Sequence, residues 1–239
     1  MSGDARPDEQ DSSLPTSLAD QLGQLSLTLQ HQTGLPDTLE AIVEAARDIV
    51  PGVQHASLSS VTGRHKVTTT AATSELARRI DDAQYATQQG PCLSTLYDQR
   101  TLHLPDMAAD DRWPAFSVRA LELGVGSMLS VQLFVQGEDL GALNLSNHQA
   151  HGFDDESEHV ALLLANHAAV AMVGAQEQHR LRQSVSSREV IGQATGVLIE
   201  RYKTSPEGAF MLLVRASQQS NRKLRDIAEE LVRSGALPG

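Results

Sequence analysis

The sequence predicts an α+β fold: an antiparallel sheet flanked by helices comes first, a helical connector follows, and a three-helix module closes the chain. Three observations predict it. Apolar residues recur at steps of three and four near both ends of the chain, as in amphipathic helices, and at steps of two in its middle, as in half-buried strands. The strongest period-two segments, MLSVQLFVQ and LGALNLSN, flank a Gly137-Glu138-Asp139 turn and so read as an antiparallel hairpin. Charge also divides unevenly. Residues 1–179 hold 9 Lys+Arg against 24 Asp+Glu, a balance of -15, whereas residues 180–239 hold 10 against 6, a balance of +4. The last part is a different electrostatic object from the rest, as when a nucleic-acid-binding module is joined to something else.

The elements follow in order. Residues 1–16 are polar and acidic with two prolines, and bury too little apolar area to offset their ordering entropy, so a disordered tail is expected. Leu18, Leu22, Leu25 and Leu29 form the seam of a first helix, which either pairs with another helix or covers one face of the sheet. Gly34 and Pro36 stop it. Leu39, Ile42, Val43, Ala46, Ile49 and Val50 stripe a second helix that ends at Pro51-Gly52. HASLSSV and HKVTTTAA read as strands joined through Thr62-Gly63-Arg64. SELARRIDDAQYA returns to helical spacing with Ser74 as N-cap, and a short helix after Gly90-Pro91 precedes the strand RTLHLP. In the central hairpin Leu129, Val131, Leu133 and Val135 share one face.

From Asp154 to about Val185 the pattern is one long helix with a seam at Val160, Leu164, His167, Ala171, Gly174, Gln178, Leu181 and Val185, weakest at Gly174 and Gln178. Together with the first leucine seam it suggests a four-helix bundle in a homodimer. A new helix is expected at Ser186, which forms a capping box with Glu189. Ser205-Pro206 starts another, with Ala209, Phe210, Leu213 and Val214 on its apolar stripe. Asn221 is expected to cap the last, striped by Leu224, Ile227, Ala228, Leu231 and Val232. The expected organisation is a tail at 1–16, a sheet domain at 17–175, a connector at 176–185 and a helical module at 186–236.

Composition narrows the function classes. The net charge is -11 and aromatics make up 3%, so the cores must be built mainly from Leu, Val, Ile and Ala. Cys92 stands alone, which excludes an intramolecular disulfide framework, and the acidic start lacks the apolar segment of an export signal. The run from His159 to Ala175 is the most membrane-like, but two histidines and an asparagine interrupt it and carboxylates flank it. It reads as a buried helix face, and a cytoplasmic protein without membrane contact is expected. There is no Gly-rich phosphate loop, nucleophile elbow or receiver-type acidic pocket, so no catalytic residue is assigned. His148 and His151 make an HxxH pair without a third ligand at recognisable spacing, so neither a metal site nor a cofactor is expected.

Arg222, Lys223 and Arg225 fall at the start of the last helix, where the macrodipole favours negative side chains. Free N–H groups and basic side chains together make a phosphate-binding surface; the other reading is solvated charge relieved by Asp226, Glu229 and Glu230. The residues around this knot resemble a known family. Arg188-Glu189-Val190-Ile191-Gly192-Gln193-Ala194-Thr195-Gly196-Val197-Leu198-Ile199-Glu200-Arg201-Tyr202, then Glu207-Gly208-Ala209-Phe210, then Ala216-Ser217-Gln218 and Asn221-Arg222-Lys223-Leu224-Arg225-Asp226-Ile227-Ala228, are similar to the ANTAR domain over about Ser184 to Ala236. The resemblance implies a dimeric, non-catalytic protein that binds two neighbouring RNA stem-loops and controls transcription antitermination or masks a translation start. Arg188, Arg201, Lys203, Arg215, Arg222, Lys223 and Arg225 are then the candidate RNA contacts, while Ala194, Gly196, Leu198, Ala209, Phe210, Leu213 and Ala228 read as core. Two positions depart from the family: Thr195 replaces the lysine of its usual Ala-Lys-Gly, and Val214 follows Leu213 where arginine is usual, with Arg215 one place later.

A second resemblance spans about Ser17 to Ala175. Gln84-Tyr85, Gly90-Pro91-Cys92-Leu93, Asp106 with Asp111-Arg112-Trp113-Pro114, Gly124-Val125-Gly126-Ser127-Met128-Leu129-Ser130 and Gly141-Ala142-Leu143-Asn144-Leu145 are together similar to the GAF domains that precede ANTAR modules in actinobacterial regulators. It implies an antiparallel sheet with surrounding helices and often a pocket for a small ligand. Tyr85, Cys92, His103, Trp113 and Phe116 are candidate lining residues. Each also has a plainer reading: Trp113 and Phe116 as core anchors, Cys92 as a small buried hydrophobe or else a redox sensor, His103 as a satisfied strand residue. The combined expectation is a cytoplasmic homodimeric regulator with RNA as partner; a DNA-binding or protein-interaction regulator is the alternative.

Overall fold

The computed structural model describes residues 17–62, 66–97, 101–135 and 138–237. The expected tail, Gly63 and Arg64 of the first turn, Arg100 and Gly137 lie outside the described residues. Two compact units divide the chain, Met1–Ala175 and Gln176–Gly239.

In the first unit, strands β1 (His55–Thr62), β2 (Lys66–Ala72), β3 (Thr101–Leu104), β4 (Ser127–Val135) and β5 (Glu138–Asn147) form one sheet in the order β2-β1-β5-β4-β3. Every neighbouring pair is antiparallel. Residues Glu138 and Asp139 pair with Val135 and Phe134, so they extend the hairpin rather than form its turn as expected. Alternation puts Ala56, Leu58, Ala71, Leu129, Val131, Leu133, Leu143 and Leu145 on one face. That face is covered by α1 (Leu18–Gln30), α2 (Leu35–Ile49) and the first part of α6 (Asp155–Tyr202), whose Val160, Ala161, Leu164, Ala165, Ala168, Ala169 and Met172 are buried there. Leu22, Leu25 and Leu29 of the α1 seam are buried in this same core, with α1 packed along α2. Ser17 caps α1 in a complete capping box with Asp20.

The opposite face carries Ser57, Ser59, Met128, Ser130, Asn144 and Ser146. Helices α3 (Glu75–Thr87), α4 (Pro91–Tyr97) and α5 (Pro114–Glu122) belong to this side, where Ile80, Leu102, Leu104, Trp113, Phe116, Ala120 and Met128 form a separate cluster. Ser74 caps α3 as expected, accepting from the Ala77 amide. Sequence reading passed over α5, although Pro114 at its start and Phe116 and Ala120 four apart on its buried side mark it.

Three expectations need correction. No helix begins at Ser186: α6 runs 48 residues without a break from Asp155 to Tyr202. A serine caps only where the backbone leaves helical geometry, and between Val173 and Val190 the sequence has no proline and one glycine to force that. Within the single chain the buried face of α6 is also offset from the expected seam, running through Ala168, Ala169 and Met172 and leaving His167 and Gly174 exposed along with Leu181 and Val185. Asn221 does not cap the last helix. It closes α7 (Pro206–Ser220) in a left-handed conformation, and Lys223 is the N-cap of α8 (Leu224–Ser234).

In the second unit Ala194, Leu198, Ala209, Leu213, Ile227, Ala228 and Leu231 are buried together, so three helical segments share one small core. Ser205 caps α7 by accepting from the Gly208 amide, with Pro206 in its first turn. Phe210, expected inside, is 41% exposed, and Gly196 is exposed as well. Each is one or two residues from a buried position, and one residue turns a helix by about 100°. By length and composition α6 is long and apolar enough to cross a membrane; its Val160, Ala161, Leu164, Ala165, Ala168, Ala169 and Met172 lie in the core of the first unit, while Val170 is exposed.

Candidate functional site

The polar face of the sheet holds a closed hydrogen-bonded ring around Asp81, which α3 places over β1, β2 and β5 with no solvent exposure. Thr69 Oγ1 donates to Asp81 Oδ2 at 2.8 Å, and Asn144 Nδ2 donates to Asp81 Oδ1 at 3.1 Å and to Ser59 Oγ at 2.9 Å. Ser130 Oγ donates to Asn144 Oδ1 at 2.8 Å, fixing which way the amide points. The Tyr85 hydroxyl lies 2.7 Å from Ser59 Oγ and 3.1 Å from Thr69 Oγ1. Thr69 gives its proton to the carboxylate and Ser59 accepts from Asn144. The remaining protons therefore run from Ser59 to Tyr85 and from Tyr85 to Thr69, so every hydroxyl in the ring is oriented toward Asp81.

Burial pushes the Asp81 carboxyl up to about 6 against the opposing pull of its hydrogen bonds from Ser57, Thr69 and Asn144. Burial, with the Asp81 charge second, also raises the Tyr85 phenol well above its ordinary range and pushes the Cys92 thiol up to about 12. At neutral pH Cys92 is thus a protonated thiol, fully buried beside Leu96 and Ala142, and not a poised thiolate. Its amide donates to Gln84 Oε1 at 2.9 Å, which links α4 to the ring.

The five residues expected to line a pocket do not meet. Tyr85 and Cys92 share one cluster, Trp113 and Phe116 belong to the core under α5, and His103 projects to the opposite face. There its ring stands edge-on to Phe153 at 6.5 Å, and its Nε2 is buried without a hydrogen-bond partner. Alternation explains the split, because Leu102 and Leu104 on either side of His103 fill the α5 core. The cleft on the polar face is lined instead by His55, Ser57, Ala77, Ile80, Asp81, Met128, Asn144 and Ser146, with about 160 Å³ of empty space and walls too close for a water-sized sphere. None of these lining residues was among the five expected pocket residues, although Met128 and Asn144 belong to the segments that carry the GAF resemblance. A signal was present, since Ser57, Ser59 and Asn144 put polar groups at every second position of strands whose other face is apolar.

At the edge of that cleft His55 and His148 bring their Nε2 atoms to 3.3 Å. Burial, then the nearness of His148, holds His55 below the usual histidine range.

In the second unit the seven candidate cations do not form one cluster. Arg188 and Arg201 sit on α6, Lys203 follows it, Arg215 is on α7, and Arg222, Lys223 and Arg225 surround the start of α8. The Arg201 guanidinium lies beside Gly235, at the other end of α8. Three of the seven are paired: Arg222 with Glu230 at 2.7 Å, Arg225 with Glu229 at 2.7 Å, and Lys203 with Glu200. Among the described residues Arg188, Arg201, Arg215 and Lys223 have no carboxylate partner. Arg222, Asp226, Glu229, Glu230 and Arg233 line an open recess of about 370 Å³. Thr195, at the family's lysine position, turns its hydroxyl back to the Ile191 carbonyl at 2.7 Å, so it offers neither charge nor a free hydroxyl proton.

Residues 32–173 match the model of the GAF domain and residues 179–232 that of the ANTAR domain. No curated protein matches the chain. Solved structures that resemble it include the GAF domain of a phosphoenolpyruvate-protein phosphotransferase from Coxiella burnetii, at 19% identity and TM-score 0.53 over 68% of this chain and 96% of that one. Another is free methionine-R-sulfoxide reductase from Neisseria meningitidis in complex with its substrate, at 16% identity and TM-score 0.55 over 67% and 91%. A third is the phycoerythrobilin-bound GAF domain of a cyanobacterial phytochrome, at 14% identity and TM-score 0.55 over 70% and 100%. At these identities the likeness is one of fold. With the sheet domain matched over more than half of the chain and the helical unit matched by the second model, the chain belongs to the GAF domain family and joins that regulatory domain to an ANTAR domain.

Proposed function

We propose that this protein is a cytoplasmic, homodimeric regulator that binds paired RNA stem-loops through residues 186–236 and controls transcription antitermination or translation, with the GAF domain as sensor of a small ligand or as dimerisation module. The observation that carries the reading is the set of exposed cations without carboxylate partners, Arg188, Arg201, Arg215 and Lys223, on a unit that matches the ANTAR domain. Lys223 also stands at the N-cap of α8 with no side chain occupying the helix's free amides, a favourable place for a phosphate. Dimerisation is supported by Leu181 and Val185, which are 58% and 65% exposed on the solvated stretch of α6 and need a partner surface. Simultaneous engagement of two stem-loops then raises apparent affinity by about 100-fold to 10,000-fold over one.

The test is binding to a panel of two-hairpin and one-hairpin RNAs across a salt series. Loop-dependent binding is expected, and Lys223→Ala and Arg215→Ala should each reduce the salt slope by about 0.7–0.9. Arg222→Ala should have a smaller effect, because Arg222 must first leave Glu230. Binding without preference for loops, or none even in Thr195→Lys, overturns the RNA reading. The alternative, a protein-interaction or DNA-binding regulator, draws its support from the Arg222–Glu230 and Arg225–Glu229 pairs, which neutralise much of the basic knot internally.

A further inference from the structure

We propose that His55 and His148 form a two-imidazole binding site for a tetrahedral, zinc-class metal ion at the end of the GAF sheet. The two residues are 93 positions apart in sequence, and the ladder brings them together: His55 opens β1 opposite Ser146, two residues before His148. Their Nε2 atoms are 3.3 Å apart, and the ring centroids are 5.2 Å apart with planes at 79°. An ion held about 2.05 Å from each nitrogen at the tetrahedral angle requires nitrogens about 3.3 Å apart. Each ring centre lies about 1.15 Å behind its nitrogen, so the same ion requires centroids about 5.2 Å apart. A head-on N–H···N bond of the observed length would separate the centroids by about 5.6 Å, and adjacent square-planar positions would draw the nitrogens to about 2.8 Å. The bent N–H···N contact of the metal-free pair therefore already holds the nitrogens at the spacing that a tetrahedral chelate requires.

The outer ring nitrogens are held as such ligands require. His148 Nδ1 lies 2.7 Å from the Gly124 carbonyl, an acceptor, so that nitrogen carries the proton and Nε2 presents its lone pair. His55 Nδ1 lies 2.9 Å from Ser74 Oγ, which can accept as well as donate. A ligating histidine characteristically donates its other N–H to a neighbouring carbonyl or similar acceptor, which fixes the tautomer and ring orientation. Without an ion, His55 Nε2 must donate to His148 and Ser74 must donate to His55 Nδ1. On binding, His55 moves its proton from Nε2 to Nδ1, Ser74 becomes the acceptor, and no proton is released. Among the described residues no group of three His, Cys, Asp or Glu surrounds an ion, so the remaining positions fall to water or an exogenous donor at this exposed edge.

The pair is not the HxxH motif. His151 has a left-handed backbone (φ 57°), and its amide is bonded to the Pro105 carbonyl. An ion between His55 and His148 would link the start of β1 and the Ser74 cap of α3, the helix of Asp81 and Tyr85, to the turn after α5 through Gly124.

The experiment is titration of the metal-stripped full chain with Zn²⁺, followed by calorimetry and thermal unfolding, beside His55→Ala, His148→Ala and His151→Ala. One ion per chain and a raised Tm are expected for wild type and His151→Ala, and loss of both for the other two variants. Long-range ¹H–¹⁵N spectra of the wild-type imidazoles give a readout independent of how the variants fold. Both Nε2 resonances should shift with Zn²⁺, and His55 should adopt the Nδ1–H tautomer. Absence of saturable binding, binding that survives in well-folded His148→Ala, or Nε2 resonances indifferent to Zn²⁺ would overturn the proposal.

Discussion

Asp81 is the residue whose environment departs furthest from that of an exposed carboxylate, and its titration is open to measurement. Its folded pKa of about 6 lies above the ordinary 3.8, so between those values the folded chain keeps a proton that the unfolded chain releases. Stability from this group therefore falls as pH rises through that window and levels off above it. Urea unfolding of wild type and Asp81→Asn at pH 4.5 and 7.5 should show the wild type losing about 2 kcal/mol relative to the variant as pH increases. A difference that stays constant would mean that the carboxylate is not desolvated as described. Phe116, with no exposure in the α5 core, is the plainer case: Phe116→Ala should cost about 3–5 kcal/mol in the same assay.

At the scale of elements, α7 tests the local signals. Ser205→Ala removes the side-chain acceptor for the Gly208 amide and should cost about 1 kcal/mol, read as a lower Tm, whereas Ser186→Ala, inside α6, should cost almost nothing. The comparison also shows why the first cap was legible and the second misleading. Ser205 is followed by proline, which fixes a helix start, while Ser186 lies in a stretch where nothing stops the helix already running. Strands were legible because one face is apolar: Leu129, Val131 and Leu133 alternate cleanly. The candidate site was less so. Its ring draws polar residues from five elements, and spacing within any one element cannot reveal that Ser59, Thr69, Asp81, Tyr85, Ser130 and Asn144 converge. Gly141 marks one such convergence indirectly. At φ 151° it sits against the Ser59 carbonyl where a side chain would collide, so Gly141→Ala should destabilise the β1–β5 pairing and, with it, the ring.

For the whole molecule, the homodimer proposal makes its own prediction. Leu181→Glu with Val185→Glu should shift the protein toward monomer in light scattering and lower affinity for two-hairpin RNA by about 100-fold or more, while leaving one-hairpin binding nearly unchanged. These residues were visible in the sequence as a continued seam, and the structure leaves them exposed. The sheet between its two layers has a further consequence for how the GAF unit answers to temperature. One face is sealed by leucine, valine and alanine, whereas the other combines serine, threonine, asparagine and a carboxylate with the apolar cluster around Leu102, Leu104 and Met128. Exposing apolar surface raises the heat capacity of unfolding and exposing polar surface lowers it, so the Asp81 ring offsets part of the increment that the apolar residues contribute. The unit should have a smaller heat-capacity increment than a sheet with apolar side chains on both faces, and hence a flatter stability curve.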